Sequence, residues 1–169
     1  MRRLAVVVLG IGVLLAGCAT TNPSPTAAAA STSPAALILV PLIDLEVAPQ
    51  TEATILAAFD AESATALVTS VSDSVDFSQV GIICVYLGER STGGWAVALQ
   101  SASLVNGELQ IRARETRPPA TGGPAGTTFP AGCGTITRAG LPVGELDVRA
   151  DDTVSEEFIV DGVITVPAP

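Results

Sequence analysis

The pattern of apolar and polar positions predicts a sheet in the middle of the chain. Residues 80–87 (VGIICVYL) are continuously apolar, which is typical of a strand covered on both faces. After a glycine-rich turn, Trp95, Val97 and Leu99 alternate with alanine or glutamine, which predicts a second strand.

Two dipeptides predict tight hairpin turns. Asn106-Gly107 lies between SASLV and ELQIRAR, and it favours a type I′ turn because both central residues of that turn need a positive φ. The apolar side chains of the returning strand are expected to share one face: Leu109, Ile111 and Ala113. Asp161-Gly162, between FIV and VITV, predicts a second, terminal hairpin by the same argument.

Three further segments complete the predicted fold. Residues 37–47 have a largely apolar, β-branched character interrupted by Pro41, which suits an edge strand or a bent strand. Residues 51–69 are rich in alanine with apolar residues at helical spacing, so we expect a short helix with Thr51 as N-cap. Residues 116–134 are rich in proline and glycine and predict a long irregular loop.

Residues 35–169 are therefore expected to form one mostly β domain, α+β at most. The expected architecture is a small antiparallel β-sandwich or a half-open barrel, with or without one short helix. Since 48% of positions are hydrophobic but only 4% aromatic, its core must consist of small aliphatic side chains.

The first eighteen residues resemble a bacterial lipoprotein signal. Arg2 and Arg3 precede an apolar run that is too short to span a bilayer comfortably, as in an export signal. The run ends in LLAGC, where Leu15 stands three residues before Cys18 with small residues between, as in the lipobox. This resemblance implies that residues 1–17 are a signal peptide and that Cys18 is lipidated. The alternative is an ordinary secretory signal with a chance cysteine.

Residues 18–34 are expected to link the lipid anchor to the folded domain. After Cys18 the sequence ATTNPSPTAAAASTSP has no charge and no large apolar side chain, so it lacks the surface to form a core. Two or three acyl chains hold a protein durably on a membrane, at about 0.8 kcal/mol for each buried CH₂. Ala19 resembles the residue after the cysteine in outer-membrane lipoproteins. The expected location is the bacterial cell envelope, at the outer membrane in a diderm.

Charge and composition narrow the classes of function. The chain has 8 basic and 17 acidic residues, a net charge of −9, which argues against a nucleic-acid partner. It has no histidine, which excludes Ser-His-Asp and Cys-His catalysis and histidine zinc sites. Glu89 and Glu115 are the only carboxylate pair to nominate for catalysis, and no spacing argument brings them together. We expect no enzyme activity, no catalytic residue, no metal and no cofactor.

Cys84 and Cys133 are expected to form a disulfide. They remain as a pair once Cys18 is lipidated, and exported proteins fold in an oxidising compartment. A bridge would fix the proline- and glycine-rich segment to a central strand. The alternative is two buried thiols too far apart to join.

Part of the chain resembles the C-terminal domain of the protease complex subunit PrcB family. The order of five short motifs carries this resemblance: VDFS at 75–78, VYLGER at 85–90, STGGW at 91–95, ETRPP at 115–119 and TFP at 128–130. The resemblance covers about 60 residues and implies a non-catalytic β-domain of the envelope. It also implies an association with a surface protease as one kind of partner.

The glycine-rich turn is the candidate recognition site. Its residues are Gly88, Glu89, Arg90, Thr92, Gly93, Gly94 and Trp95. The turn has two interpretations, a purely structural turn or a recognition loop, and it is also similar over a few residues to a loop of chagasin-type cysteine-protease inhibitors. We expect a membrane-anchored, non-catalytic protein-binding or structural module with an unknown envelope protein as partner. The alternative is a protease accessory subunit or inhibitor that uses residues 88–95 and 116–134.

Overall fold

Strands dominate the computed structural model, which describes residues 35–43, 46–69 and 75–168. The predicted signal peptide, Cys18 and the predicted tether lie outside these described residues. In chain order the elements are β1 (Ala35–Leu37), β2 (Leu39–Leu42), β3 (Ala53–Ala58), α1 (Ala61–Leu67), β4 (Val80–Leu87), β5 (Arg90–Thr92), β6 (Ala96–Val105), β7 (Glu108–Thr116), β8 (Ala125–Thr128), β9 (Ala131–Thr137), β10 (Gly144–Asp152) and β11 (Phe158–Val166).

The strands form two main sheets and one small one. The five-stranded sheet has the order β1-β6-β7-β10-β11, the four-stranded sheet β2-β9-β4-β3, and β5 pairs only with β8. All named strand pairs are antiparallel except β7 with β10. The mostly β class is confirmed, and the arrangement is that of a small β-sandwich without barrel closure.

Strand β4 is the centre of the four-stranded sheet and is buried on both faces, as its apolar sequence predicted. Ile83, Val85 and Leu87 face the core between the two main sheets. The alternate residues Ile82 and Cys84 contribute to a second apolar layer, which α1 helps to cover. A strand between two apolar layers loses its own alternation, which explains the unbroken run.

Strands β1 and β2 together form the bent edge strand that the sequence predicted. The chain pairs with β6 in one sheet, passes through Ile38, and pairs with β9 in the other. The Ile38 carbonyl accepts a hydrogen bond from the Thr137 N–H, so alternation turns Pro41 toward the free edge of β2. There the missing N–H of proline costs no ladder hydrogen bond.

The helix predicted over 51–69 is wrong in its first half. Ala53–Ala58 is strand β3, which pairs with β4, and the helix begins only at Ala61. Its N-cap is Asp60, whose carboxylate accepts a hydrogen bond from the Ser63 N–H at 2.8 Å, rather than Thr51. Pairing with the central strand therefore outweighs the helical preference of the alanines.

One predicted hairpin is confirmed and the other is wrong. Asn106 and Gly107 have φ of 53° and 86° and connect β6 to β7. Asp161 and Gly162 instead lie inside β11, where Gly162 pairs with Val148 of β10. The apolar alternation continues through this dipeptide on the inward face, so the strand does not turn there.

The irregular loop predicted over 116–134 is wrong for its second half. Ala125–Thr128 is β8, and β9 begins at Ala131. Gly132 lies in β9, where a Cβ atom would collide with the Val97 carbonyl of β6, so the position requires glycine. Glycine in this strand marks a close backbone approach between the sheets rather than a loop.

Candidate functional site

The two segments proposed for recognition meet in the fold. β5, from the glycine-rich turn, pairs with β8, from the segment that follows β7. The Gly93 N–H donates to the Pro124 carbonyl at 2.8 Å, and the Thr128 hydroxyl donates to the Thr92 carbonyl at 3.1 Å. We call residues 88–95 and 116–130 together the paired-loop module.

Gly88 starts the module at a position that only glycine fits. Its φ is +76°, and a Cβ atom there would lie 2.8 Å from the Ala53 nitrogen. The chain is held on both sides, because Leu87 N–H donates to the Pro130 carbonyl and Glu89 N–H donates to the Thr51 carbonyl. The start of the turn is thus fixed to β3 and to the end of the second segment.

Proline and glycine pack the two segments against each other. Gly94 has φ of +90° and lies under Pro118, whose Cβ atom would be 3.3 Å from an added Cβ. Gly123 lies so close to the Gly93 carbonyl that no side chain fits between them. The composition that predicted an irregular loop instead allows two backbones to touch.

Arg90 and Trp95 form the one cation–π pair of the module among the described residues. The Arg90 guanidinium carbon lies 5.0 Å from the centre of the Trp95 ring. Trp95 is half-buried and packs against the core between the main sheets. The Arg90 Nε atom is buried without a hydrogen-bond acceptor in the described part of the chain. The pair anchors the turn and leaves a guanidinium with unused donor capacity.

The surface of the module is mostly uncharged. Residues 118–130 contain no charged side chain, and most of β8 is exposed. Phe129 is also exposed, at 38% of its full area. Charge is confined to the margins of the module, at Glu89, Arg90 and Arg117. Such a surface offers backbone groups and the exposed Phe129 ring for contact.

Of the two nominated carboxylates, Glu89 is exposed and Glu115 has a structural partner. Glu115 forms an ion pair with Arg117 at 3.1 Å, and Arg117 also contacts Glu157 at 2.9 Å. Asp152, 5% exposed, accepts hydrogen bonds from the N–H groups of Glu115 and Ser155. These hydrogen bonds hold the pKa of Asp152 well below its usual range, Ser155 contributing most. Among the described residues no group of acidic or cysteine side chains is placed to hold a metal ion.

Cys84 and Cys133 lie within bonding distance, as the sequence predicted. They are opposed across β4 and β9, with their Cα atoms 4.1 Å apart, and both are buried. The bridge fixes the strand that follows the paired-loop module to the central strand. The module is therefore held by the sheet at both of its ends.

Two features of the surface were missed at the sequence level. One is the joining of residues 88–95 and 116–130, which depends on long-range pairing. The other is the unequal distribution of charge between the two main sheets. In the sequence it shows only as four separate strand segments without a charged residue.

No helix in the described part of the chain is long and apolar enough to cross a membrane. Comparison with protein-family models, curated proteins and solved structures gave no match. The resemblance to the PrcB family and the location in the envelope therefore stay predictions.

Proposed function

We propose that this protein is a lipid-anchored lipoprotein of the bacterial cell envelope that binds another protein through the paired-loop module and performs no catalysis. One observation carries the proposal: two distant segments are assembled into one exposed, mostly uncharged unit whose base is held by backbone hydrogen bonds. Rigid loops on a sheet scaffold lose little conformational entropy when a partner binds. The signal-like sequence up to Cys18 supplies the anchor.

The position of the module suits a partner located away from the anchor point. The tether joins the domain at Ala35, which pairs with Leu104 near the end of β6. The module joins the sheet at the other end of the same strand, where Ala96 pairs with Thr116. The eight residue steps between Leu104 and Ala96 span about 26 Å at the usual rise of a strand. The module therefore lies at the end of β6 away from Ala35, where the described chain begins.

A protease is a specific candidate for this partner. β8 is short, extended, exposed and uncharged. Proteases and other peptide-binding proteins recognise extended backbones by pairing with them as strands. The resemblance to the PrcB family points to the same class. The protein would act as an accessory subunit or an inhibitor, with β8 as the segment in contact.

Site-specific crosslinking tests the binding surface. A photoreactive amino acid replaces Thr127 in the module or, as a matched control, the exposed Thr165 of β11. We expect the probe at position 127 to crosslink one envelope protein in intact cells and the probe at 165 to leave it unlinked. Equal crosslinking from both positions, or none from 127, would rule out the module as the binding surface.

Inhibition assays separate the protease alternative. Papain-like and subtilisin-like proteases are titrated with the protein, with Trp95→Ala, and with Phe158→Ala as a control at an exposed aromatic of β11, outside the paired-loop module. An inhibitor loses potency on Trp95→Ala and keeps it on Phe158→Ala. If the unaltered protein inhibits neither class of protease, the inhibitor hypothesis is rejected for those proteases. The binding proposal then requires a partner that is not a protease or is not inhibited.

A further inference from the structure

The two main sheets differ sharply in charge. Strands β2, β3, β4 and β9 of the four-stranded sheet contain no charged residue. Strands β7, β10 and β11 of the other sheet contain seven carboxylates and three arginines. Although the whole chain has a net charge of −9, the strands of one of its two main sheets contain no charged side chain.

Part of this uncharged sheet is exposed. Ile38 and Val40, two residues apart on one face, are 67% and 53% exposed, and Ile43 just beyond β2 is 80% exposed. We call these three residues the β2 edge patch. Helix α1 packs on the layer formed mainly by β3 and β4, and among the described strands β2 pairs only with β9.

The surroundings of the patch distinguish it from single exposed apolar residues, which are common on any surface. Val40 pairs with Thr135, an uncharged neighbour. By contrast, the exposed Val163 of β11 pairs with Asp147, and the exposed Phe158 lies under the Arg149 guanidinium. The patch is the place in the described chain where neighbouring exposed aliphatic side chains have no charged strand partner.

An apolar cavity extends the patch. It has a volume of about 220 Å³ and is lined by Leu42, Ile43 and Val47 on one side and by residues of β6 and β9 on the other.

The free edge of β2 is unsuited to another strand. Pro41 faces that edge and has no N–H to donate, so an added strand would lose a hydrogen bond at the centre of the four-residue strand. Strand addition by a second copy or a peptide is therefore disfavoured, and contact through side chains is left.

We propose that the β2 edge patch is the surface that faces the lipid bilayer. The inference rests on the proposed anchor at Cys18 for its closeness to lipid. Only the sixteen residues 19–34 separate Cys18 from Ala35, and the patch begins three residues after Ala35, so it lies close in sequence to the proposed anchor. Burial of three aliphatic side chains in the interface then adds to the anchor, while the charged sheet stays in water.

Depth measurements on vesicles test this surface. A single cysteine carrying an environment-sensitive fluorophore is introduced as Val40→Cys or Ile43→Cys. Val163→Cys is the control, because the exposed fraction of Val163, 59%, is similar to the 53% of Val40. The lipidated full-length product is bound to phosphatidylcholine vesicles, and flotation reports the anchor. In a second arm, Cys18→Ser chains are held by an added hexahistidine tag on nickel-chelating lipids, which tests the face without natural lipidation.

We expect aqueous iodide to quench the labels at positions 40 and 43 about threefold less on vesicles than in solution, because interfacial side chains sit below the headgroups. The label at 163 should be quenched equally in both. Equal quenching at all three positions in the tagged arm would overturn the proposal. Failure to float in the first arm, with protected labels in the second, would reject the natural anchor and keep the lipid-facing surface.

Discussion

Cys84 of β4 and Cys133 of β9 are opposed in neighbouring strands, with their Cα atoms 4.1 Å apart. The bridge closes a long loop, with a sequence separation of 49 residues. This loop holds the whole paired-loop module. The disulfide thus joins the strand before the module to the strand after it.

Removal of this bridge should destabilise the domain. We expect Cys84→Ala with Cys133→Ala to lower the free energy of unfolding by about 3–4 kcal/mol, from the lost restriction of the unfolded chain. Urea unfolding with and without reductant measures it. Reductant should lower the stability of the unaltered protein toward that of the double variant and leave the variant unchanged. Insensitivity of the unaltered protein to reductant would contradict the bridge.

The two Asx-Gly dipeptides should respond differently to the same change. Gly107→Ala forces alanine to a φ near +86° with no neighbour within 4 Å, so the cost is conformational, about 1–2 kcal/mol. Gly162→Ala lies in an extended strand with its nearest contact at 3.9 Å, so stability should change by less than about 0.5 kcal/mol. Thermal unfolding compares the two. A larger loss at Gly162 would contradict the assignment of these positions.

The pKa of Tyr86 should show that its hydroxyl is buried in the folded protein. It is the only tyrosine of the chain, it is 1% exposed, and its hydroxyl has no hydrogen-bond partner among the described residues. Desolvation raises the pKa of Tyr86 to about 12. In the unfolded chain the tyrosine has its ordinary pKa of about 10. Between these two values the unfolded chain loses the phenol proton and the folded chain keeps it, so the free energy of unfolding falls as the pH rises from about 10 toward 12.

Alkaline titration of the tyrosinate absorbance checks this value, because no second tyrosine contributes. Tyr86→Phe removes the unpaired hydroxyl and should raise the free energy of unfolding by about 1 kcal/mol. It should also flatten the loss of stability between pH 10 and 12. A titration midpoint near 10 in the folded protein would mean that the hydroxyl reaches solvent.

Asp152 should matter more for stability than its neighbour Asp151. Asp152 accepts hydrogen bonds from three backbone N–H groups and from the Ser155 hydroxyl, whereas Asp151 forms an ion pair with the partly exposed Arg149. We expect Asp152→Ala to destabilise the domain clearly and Asp151→Ala to have little effect. Chemical unfolding at neutral pH compares the two variants.

The lowered pKa of Asp152 also predicts how the free energy of unfolding changes at acid pH. Its folded-state pKa is lowered, so its contribution is complete above the ordinary pKa of an unfolded aspartate, near about 4, and is lost as the pH falls below it. The Asp152→Ala variant should therefore lose less stability than the unaltered protein between pH 5 and pH 2 (roughly the acid range of carboxylates). Parallel curves would contradict a special role for this side chain.

Local signals account for the elements that the sequence predicted well. The unbroken apolar run of β4 and the Asn106-Gly107 turn depend on neighbouring residues alone. The edge position of Pro41 follows from the missing N–H. Each of these features depends on local sequence and does not require knowledge of the remaining fold.

Long-range contacts explain the errors. Ala53–Ala58 is a strand because it pairs with β4, which its alanine content does not reveal. Gly132 lies in β9 because it pairs with β4, and it is a glycine because the Val97 carbonyl of the other sheet occupies the space of a side chain. Asp161-Gly162 stays extended because β10 provides a partner along its whole length. The candidate site was predicted as two separate segments for the same reason, since only the fold pairs β5 with β8.

The most direct test of the account is the intact mass of the protein purified from its native membrane, with and without reduction. We predict a chain that begins at Cys18, carries diacylglyceryl and acyl groups, and gains two hydrogens when the Cys84–Cys133 bridge is reduced. A chain without lipid at Cys18 would contradict the membrane anchor, and with it the proposed role as an envelope lipoprotein.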